Sequence, residues 1–262
     1  MALAVYATPP MTDTPDEDPL PSERTPVPIS DEQRFTYERR IIALKRRLVR
    51  EASIAMGMLD AAVDALFKLD TDASKAVRRE DDRVDAEEVA IEQECYEVLA
   101  LHHLFARDFR AITFILKVNA DVERVADHAS SIAKVASRIR QHTAVTPQWP
   151  TSLVELGQRV PMMCHELLRA VLDENVENAR ALVRSDEVID QLDRRLFEEV
   201  QEYIRSEGRS DGATAIGMYM YRVGRELERV ADLMTNIAED IVYLATGDIV
   251  RHKEKRRQRG TT

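Results

Sequence analysis

The chain of 262 residues has a formal net charge of −10, with 44% apolar residues, 8 glycines and 5% aromatic residues, a composition that favours an all-α protein over a β-sheet protein. The negative charge argues against nucleic-acid binding, which needs a basic face to displace counterions from phosphates. No stretch predicts a transmembrane helix or a secretory signal peptide, and the isolated Cys95 and Cys164, without CxxC spacing, indicate a reducing cytoplasm.

The predicted elements begin after a proline-rich extension. Residues 1–30 contain seven of the ten prolines and too little apolar surface to offset chain entropy, which predicts disorder. Two sets of three helical patterns follow, at 31–142 and 151–247, and residues 143–150 join them as a linker. Residues 248–262 form a basic tail that we expect to be solvated. The first predicted helix covers about 31–69, and the second follows the polar turn at 70–72 and ends at about 104. The other four cover about 108–142, 151–174, 177–206 and 212–246.

The two halves of the chain repeat each other at a fixed offset of 105 residues. Residues 121–134 read DVERVADHASSIAK and residues 226–239 read ELERVADLMTNIAE, so seven of the fourteen positions are identical. A fixed internal period indicates a tandem duplication, and we therefore predict two three-helix bundles. The same offset relates two apolar heptad series that favour near-parallel helix packing, Val77, Val84, Ile91 and Val98, and Leu182, Ile189, Leu196 and Tyr203.

The duplication preserves pairs of acidic residues spaced four positions apart. On a helical wheel these pairs lie at the edges of the apolar stripes, where two antiparallel helices would bring four carboxylates together in each half. Like charges in this arrangement repel each other, and burial adds to the cost, unless a cation binds the oxygen atoms. A solvated acidic face, or neutralisation by Arg124 and Arg229, would also account for the pattern. The eight predicted metal ligands are Asp81, Asp85, Glu123, Asp127, Asp186, Asp190, Glu228 and Asp232.

Four stretches of the chain, in this order, carry the motifs of a known family. They read DDRVDAEEVAIEQECYEVLAL (81–101), ARDFRAITFILKVNADVERVADHASSIAK (106–134), SDEVIDQLDRRLFEEV (185–200) and GRELERVADLMTNIAEDIVYLATGDIVRH (224–252). Together they resemble the PhoU family, the phosphate-transport regulatory proteins, over about residues 35–252. The resemblance implies two three-helix bundles side by side, with E/DxxxD motifs that hold metal ions at the eight acids named above.

Mg, Mn, Zn and Fe are the candidate metals that this resemblance leaves open. His128 follows the motif in the first half where the second half has Leu233, so we expect unequal sites, with the first binding more tightly or the second absent.

The resemblance also implies a function without catalysis. Members of the family repress the phosphate-starvation response and restrain phosphate uptake by contacting the phosphate ABC transporter ATPase and the sensor histidine kinase. We therefore expect a regulatory adaptor that is peripheral to the membrane through those partners; a homodimer is left open.

A carboxylate-bridged di-metal oxidase or metal-storage bundle is the alternative function. Such proteins need inward-facing Glu-x-x-His motifs. None of the six histidines follows a glutamate at that spacing, which argues against this alternative. A helical scaffold without a ligand is a third interpretation.

Overall fold

The computed structural model of the chain describes residues 31–172, 176–184, 186–207 and 211–246, and every secondary-structure element in these ranges is an α-helix. The all-α prediction is therefore confirmed. The predicted extension at 1–30 and the basic tail at 248–262 lie outside the described residues. The helices are α1 (Asp31–Lys68), α2 (Thr71–Leu101), α3 (Ala106–Arg140), α4 (Thr151–Leu172), α5 (Val176–Arg184), α6 (Asp186–Ser206) and α7 (Asp211–Thr246).

These helices form two bundles that correspond at the offset seen in the sequence. α1, α2 and α3 pack together in the first bundle, and α4 packs with α5, α6 and α7 in the second. α2 begins 105 residues before α5 and ends 105 residues before α6, while α3 begins 105 residues before α7. α5 and α6 together are thus the counterpart of α2, and the predicted helix at 177–206 corresponds to this pair.

The apolar stripes predicted on the helical wheel form the core of each bundle. Helical periodicity predicts one apolar stripe on α3 and an equivalent stripe on α7, and every residue of both is buried. The stripes are Val118, Val122, Val125, Ala126, Ala129, Ile132, Ala133 and Ala136 on α3, and Val223, Leu227, Val230, Ala231, Met234, Ile237, Ala238 and Ile241 on α7. Each large apolar side chain in this core contributes about 1.5–3 kcal/mol relative to an exposed position. α4 continues through Pro161, whose side chain is buried. Within the described ranges, none of the helices is both long and apolar enough to cross a membrane.

Corresponding helices meet where the two bundles pack against each other. α3 packs against α7, and α1 packs against α4. The approach of α1 and α4 is close at Gly157, where a Cβ atom would lie 2.8 Å from Cε2 of Phe67. Nearby, His165 Nε2 lies 2.8 Å from Asp60 Oδ2, and these two residues are 105 positions apart. A contact between equivalent residues places a local pseudo-twofold axis between them, as in an isologous interface.

Candidate metal centre

The first group of predicted ligands is distributed over α2 and α3. These helices run antiparallel, because Ser74 at the start of α2 donates a hydrogen bond to the carbonyl oxygen of Ala133 in the second half of α3. About three and a half turns before the end of α2, the Glu88 carbonyl oxygen accepts a hydrogen bond of 2.9 Å from the side-chain amide of Asn119 on α3. The four acids that lie between these two contacts, called here the first acid cluster, are Asp81, Asp85, Glu123 and Asp127.

The first acid cluster is partly desolvated, and within the described ranges no Lys or Arg side chain forms an ion pair with any of its four acids. Asp81 and Glu123 are half-buried, whereas Asp85 and Asp127 are exposed. Burial raises the pKa of Asp81, the charges of Asp127 and Asp85 raise it further, and the nearby Ser130 hydroxyl lowers it. Burial also raises the pKa of Glu123, followed by the charges of Asp127 and Asp85. The Oδ1 atom of Asp81 is buried without a hydrogen-bond partner.

Glu51 on α1 is a further acid of the first bundle, and it is not one of the predicted ligands. Its side chain is 1% exposed, and neither carboxyl oxygen has a hydrogen-bond partner. Burial raises the pKa of Glu51 to about 8, with further contributions from Glu87, Glu88 and Glu123 against the lowering effect of Arg47. The sequence signal for Glu51 is a single acid inside the apolar stripe of α1. It belongs to no repeated pair of acids, and the ligand prediction rested on such pairs.

The second group of predicted ligands differs from the first because an arginine lies within it. Arg225 Nη1 lies 3.0 Å from Asp193 Oδ2, and Arg225 Nη2 lies 3.4 Å from Glu228 Oε2. Burial raises the pKa of Glu228, and Arg225 opposes that rise. Two other members are exposed, and the side chain of Asp186 lies outside the described residues. This second acid cluster consists of Asp186, Asp190, Glu228 and Asp232.

The arginines and the histidine next to the motifs face other partners. Arg124 Nη1 lies 3.6 Å from Asp121 Oδ1, and Arg229 Nη1 lies 3.7 Å from Glu226 Oε2. His128 Nδ1 lies 2.7 Å from Glu226 Oε2, across the contact between α3 and α7. The His128 hydrogen bond, opposed by burial, holds the pKa of Glu226 below its usual range. His128 thus joins the two bundles and lies away from the first acid cluster.

The acids of the first cluster fit a cation in charge and donor type. Carboxylate oxygens are the ligands that hard divalent cations prefer, and Oδ1 of Asp81 is buried without a hydrogen-bond partner. In the described part of the chain, no group of three or more His, Cys, Asp or Glu side chains is close enough to hold a metal ion. Binding at these helices therefore requires the carboxylates to move from their present positions, and the eight-ligand assignment stays a prediction.

Comparison with known proteins places this geometry in a family. The model of the PhoU domain matches residues 48–136 and again residues 153–241, so that both limits of the match recur after 105 residues. The phosphate-specific transport system accessory protein PhoU homolog of Deinococcus radiodurans is 33% identical over 190 residues, which are 72% of this chain and 87% of that protein. The accessory protein PhoU of Escherichia coli is 26% identical over 80% of this chain and 85% of its own length.

Solved structures agree with the sequence matches. The crystal structure of PhoU from Pseudomonas aeruginosa superposes with a TM-score of 0.76 at 26% identity, over 81% of this chain and the whole of that one. The phosphate transport system regulatory protein PhoU from Streptococcus pneumoniae gives a TM-score of 0.70 at 25% identity, over 82% of this chain and 99% of its own. The repeated domain, the two bundles and these relatives together establish that the chain belongs to the PhoU family.

Proposed function

We propose that this protein is a non-enzymatic regulator of phosphate homeostasis. The observation that carries the proposal is the match over both repeats to relatives named phosphate-specific transport system accessory proteins, which it covers at 80–96% of their length. Its role is to repress the phosphate-starvation response and to restrain phosphate uptake while phosphate is plentiful.

The proposed mechanism is contact with two partners at the cytoplasmic face of the membrane. One is the ATPase of the phosphate ABC transporter, and the other is the sensor histidine kinase of the phosphate response. Two bundles joined along corresponding helices present a long, charged helical surface, and such a surface suits an adaptor that binds proteins.

A deletion strain tests the regulatory role. Without this gene, a reporter for phosphate-starvation transcription should stay active in phosphate-rich medium, and a plasmid copy of the gene should silence it. Capture of the purified full chain with the tagged ATPase and, separately, with the kinase tests the contacts. Normal repression in the deletion strain would refute the regulatory role, whereas repression without either contact would refute the adaptor mechanism.

We also propose that the acid clusters are binding sites for a divalent cation, with Mg, Mn, Zn and Fe as the candidates. The support is the uncompensated negative charge at α2 and α3 and the carboxylate donor set. A bound cation would neutralise these charges and tie the two helices together.

Metal-dependent stability tests the cation sites independently of regulation. A ligand that binds only the folded state adds about RT ln(1 + [L]/Kd) to the free energy of unfolding. The melting temperature of chelator-treated protein should therefore rise on addition of a divalent cation. The rise should shrink in Asp127→Asn, and a full rise in both Asp127→Asn and Asp232→Asn would show that the clusters are not the sites.

A further inference from the structure

Glu51 lies at the level of the first acid cluster, on the helix that contributes none of the predicted ligands. The Tyr37 hydroxyl on α1 donates to Asp108 Oδ2 on α3 at 3.5 Å, which sets the register of these two parallel helices. Fourteen residues further along each helix, this register places Glu51 at the level of residues 122 and 123. On the other side, Arg47 Nε lies 2.8 Å from Glu87 Oε1 one turn before Glu51. The carboxyl group of Glu51 is close enough to Glu87 and Glu88 of α2 and to Glu123 of α3 for their charges to raise its pKa.

Among the described residues, the Glu51 carboxyl group has no hydrogen-bond partner, and Arg47 only partly offsets its charge. Its side chain is 1% exposed, and both oxygen atoms lack hydrogen-bond partners. A buried polar group left in this way costs about 1–3 kcal/mol, and a charged one costs more. Arg47, which lies one turn before Glu51 on α1 and lowers its pKa, is itself held by Glu87 and Glu94 at 2.8 Å each. An unpaired acid inside a cluster of acids on the two other helices is the arrangement that a bound cation would satisfy.

The second bundle differs from the first at two equivalent positions: it lacks the buried acid, and it has an arginine that the first bundle lacks. The counterpart of Glu51 is Leu156, which is fully buried. The counterpart of Arg225 in the first bundle is Ala120, which is exposed and carries no charge. Arg225 lies 3.0 Å from Asp193, so the second bundle supplies a cation from its own chain. At these two pairs of equivalent positions, the first bundle has an acid where the second has leucine, and alanine where the second has arginine.

We infer that the first bundle alone holds the bound cation, with Glu51 of α1 as a ligand from the third helix, and that Arg225 takes the place of the cation in the second bundle. This inference rests on the proposed cation sites and narrows them from two to one. It also assigns the cation a structural consequence, because a ligand on α1 ties all three helices of the first bundle together.

Titration of the metal-free full chain with Mn²⁺ tests the inference, with free Mn²⁺ measured by electron paramagnetic resonance. Glu51→Leu copies the second bundle and should weaken Mn²⁺ binding by about tenfold or more, because loss of even a residue that only supports a metal ligand costs about 10–100-fold in affinity. Glu51→Gln has the shape of the native side chain and should weaken binding as well. Asp64→Asn, at an exposed acid of α1 that pairs with Lys68 at 2.7 Å, is the control and should bind like the wild type. Asp232→Asn, in the second acid cluster, tests whether that cluster binds Mn²⁺ as well.

Substitutions at the equivalent positions 120 and 225 give an independent test. Ala120→Arg should abolish Mn²⁺ binding in the first bundle, whereas Arg225→Ala should raise the amount of Mn²⁺ bound by opening the second. Circular dichroism confirms that each variant is folded before its titration. Wild-type affinity in both Glu51 variants, or equal losses in Glu51→Gln and Asp232→Asn, would overturn the inference and leave the cation proposal intact. No binding to the wild type would overturn both, without bearing on the deletion phenotype.

Discussion

Replacement of Glu51 by leucine should remove a large part of the pH dependence of stability in the metal-free protein. Burial, then Glu87 and Glu88 on α2, and Glu123 on α3 raise the pKa of this carboxyl from 4.5 to about 8, while Arg47 on its own helix lowers it. The folded protein therefore keeps a proton that the unfolded chain releases above 4.5. The free energy of unfolding falls as the pH rises from that value, and the loss levels off above about 8.

The structure sets the size of this effect. Between the unfolded and folded pKa values of Glu51, the free energy of unfolding falls by about 1.36 kcal/mol per pH unit, and by less near the folded value. Glu51 should therefore lower the free energy of unfolding by about 2.5 kcal/mol between about pH 6 and about pH 8.5. Leucine does not titrate, and the second bundle already accommodates Leu156 at the equivalent position. Glu51→Leu should thus gain stability over the wild type as the pH rises.

Urea unfolding in the presence of a chelator, at the two ends of this pH range, measures the effect. Asp64→Asn is the control, because Asp64 is an exposed acid of the same helix that pairs with Lys68 at 2.7 Å, and its loss should change stability by less than about 1 kcal/mol at either pH. If Glu51→Leu loses as much free energy of unfolding over this range as the wild type, the assignment of the proton to Glu51 is wrong.

Two further comparisons test the packing of the bundles. His128→Ala should lower the free energy of unfolding by about 1.5 kcal/mol or more, because it removes the partner of a buried carboxylate, whereas His165→Ala, at an exposed pair, should cost less than about 1 kcal/mol. Since His128 lowers the pKa of Glu226, the stabilisation by this pair should be present above pH 4.5 and fade as the pH falls. Equal losses of stability in His128→Ala and His165→Ala would contradict the difference in burial between the two pairs. Gly224→Ala should lower the melting temperature at a cost of about 1–3 kcal/mol, because the new Cβ overlaps a fully buried leucine of α6. Gly57→Ala meets no atom within 4 Å and should raise stability by about 0.5–1 kcal/mol, so the opposite order of the two melting temperatures would refute the packing argument.

The repeated features of this protein could be predicted from its sequence because each is encoded twice. The offset of 105 residues relates the helix limits of the two bundles, and the apolar stripes derived from helical periodicity on α3 and α7 are buried throughout. Helix phase also places the motif acids at the margin of the core, where Asp81 and Glu123 are half-buried.

Features that occur in only one half of the chain could not be predicted from the repeat. Glu51 corresponds to Leu156, and Arg225 corresponds to Ala120, so neither belongs to a repeated pattern. Glu51 nevertheless had a detectable signal, because it follows Leu44 and Leu48 on one apolar stripe of α1. Arg225 had none, since a helical wheel shows the direction of a side chain and not the charge on the helix opposite.

The difference between His128 and Leu233 shows the same limit. The sequence predicted that this difference would affect a metal site, because both residues follow a motif acid. The structure places His128 against Glu226 of the other bundle, and Leu233 is buried. Periodicity located these residues at an edge of the helix, but the identity of the neighbouring helix depends on how the bundles pack.

Contact between α1 and α4, and between α3 and α7, has a consequence for the history of the molecule. An interface in which each helix meets its own counterpart is what two identical single-bundle subunits would form as a symmetric dimer, and here the subunits are successive parts of one polypeptide. In a true dimer, one substitution changes both copies of a contact. Fusion removes that constraint, so that His128 could pair with Glu226 while the reciprocal position became Leu233. One gene can thus keep a symmetric frame and specialise its two ends separately.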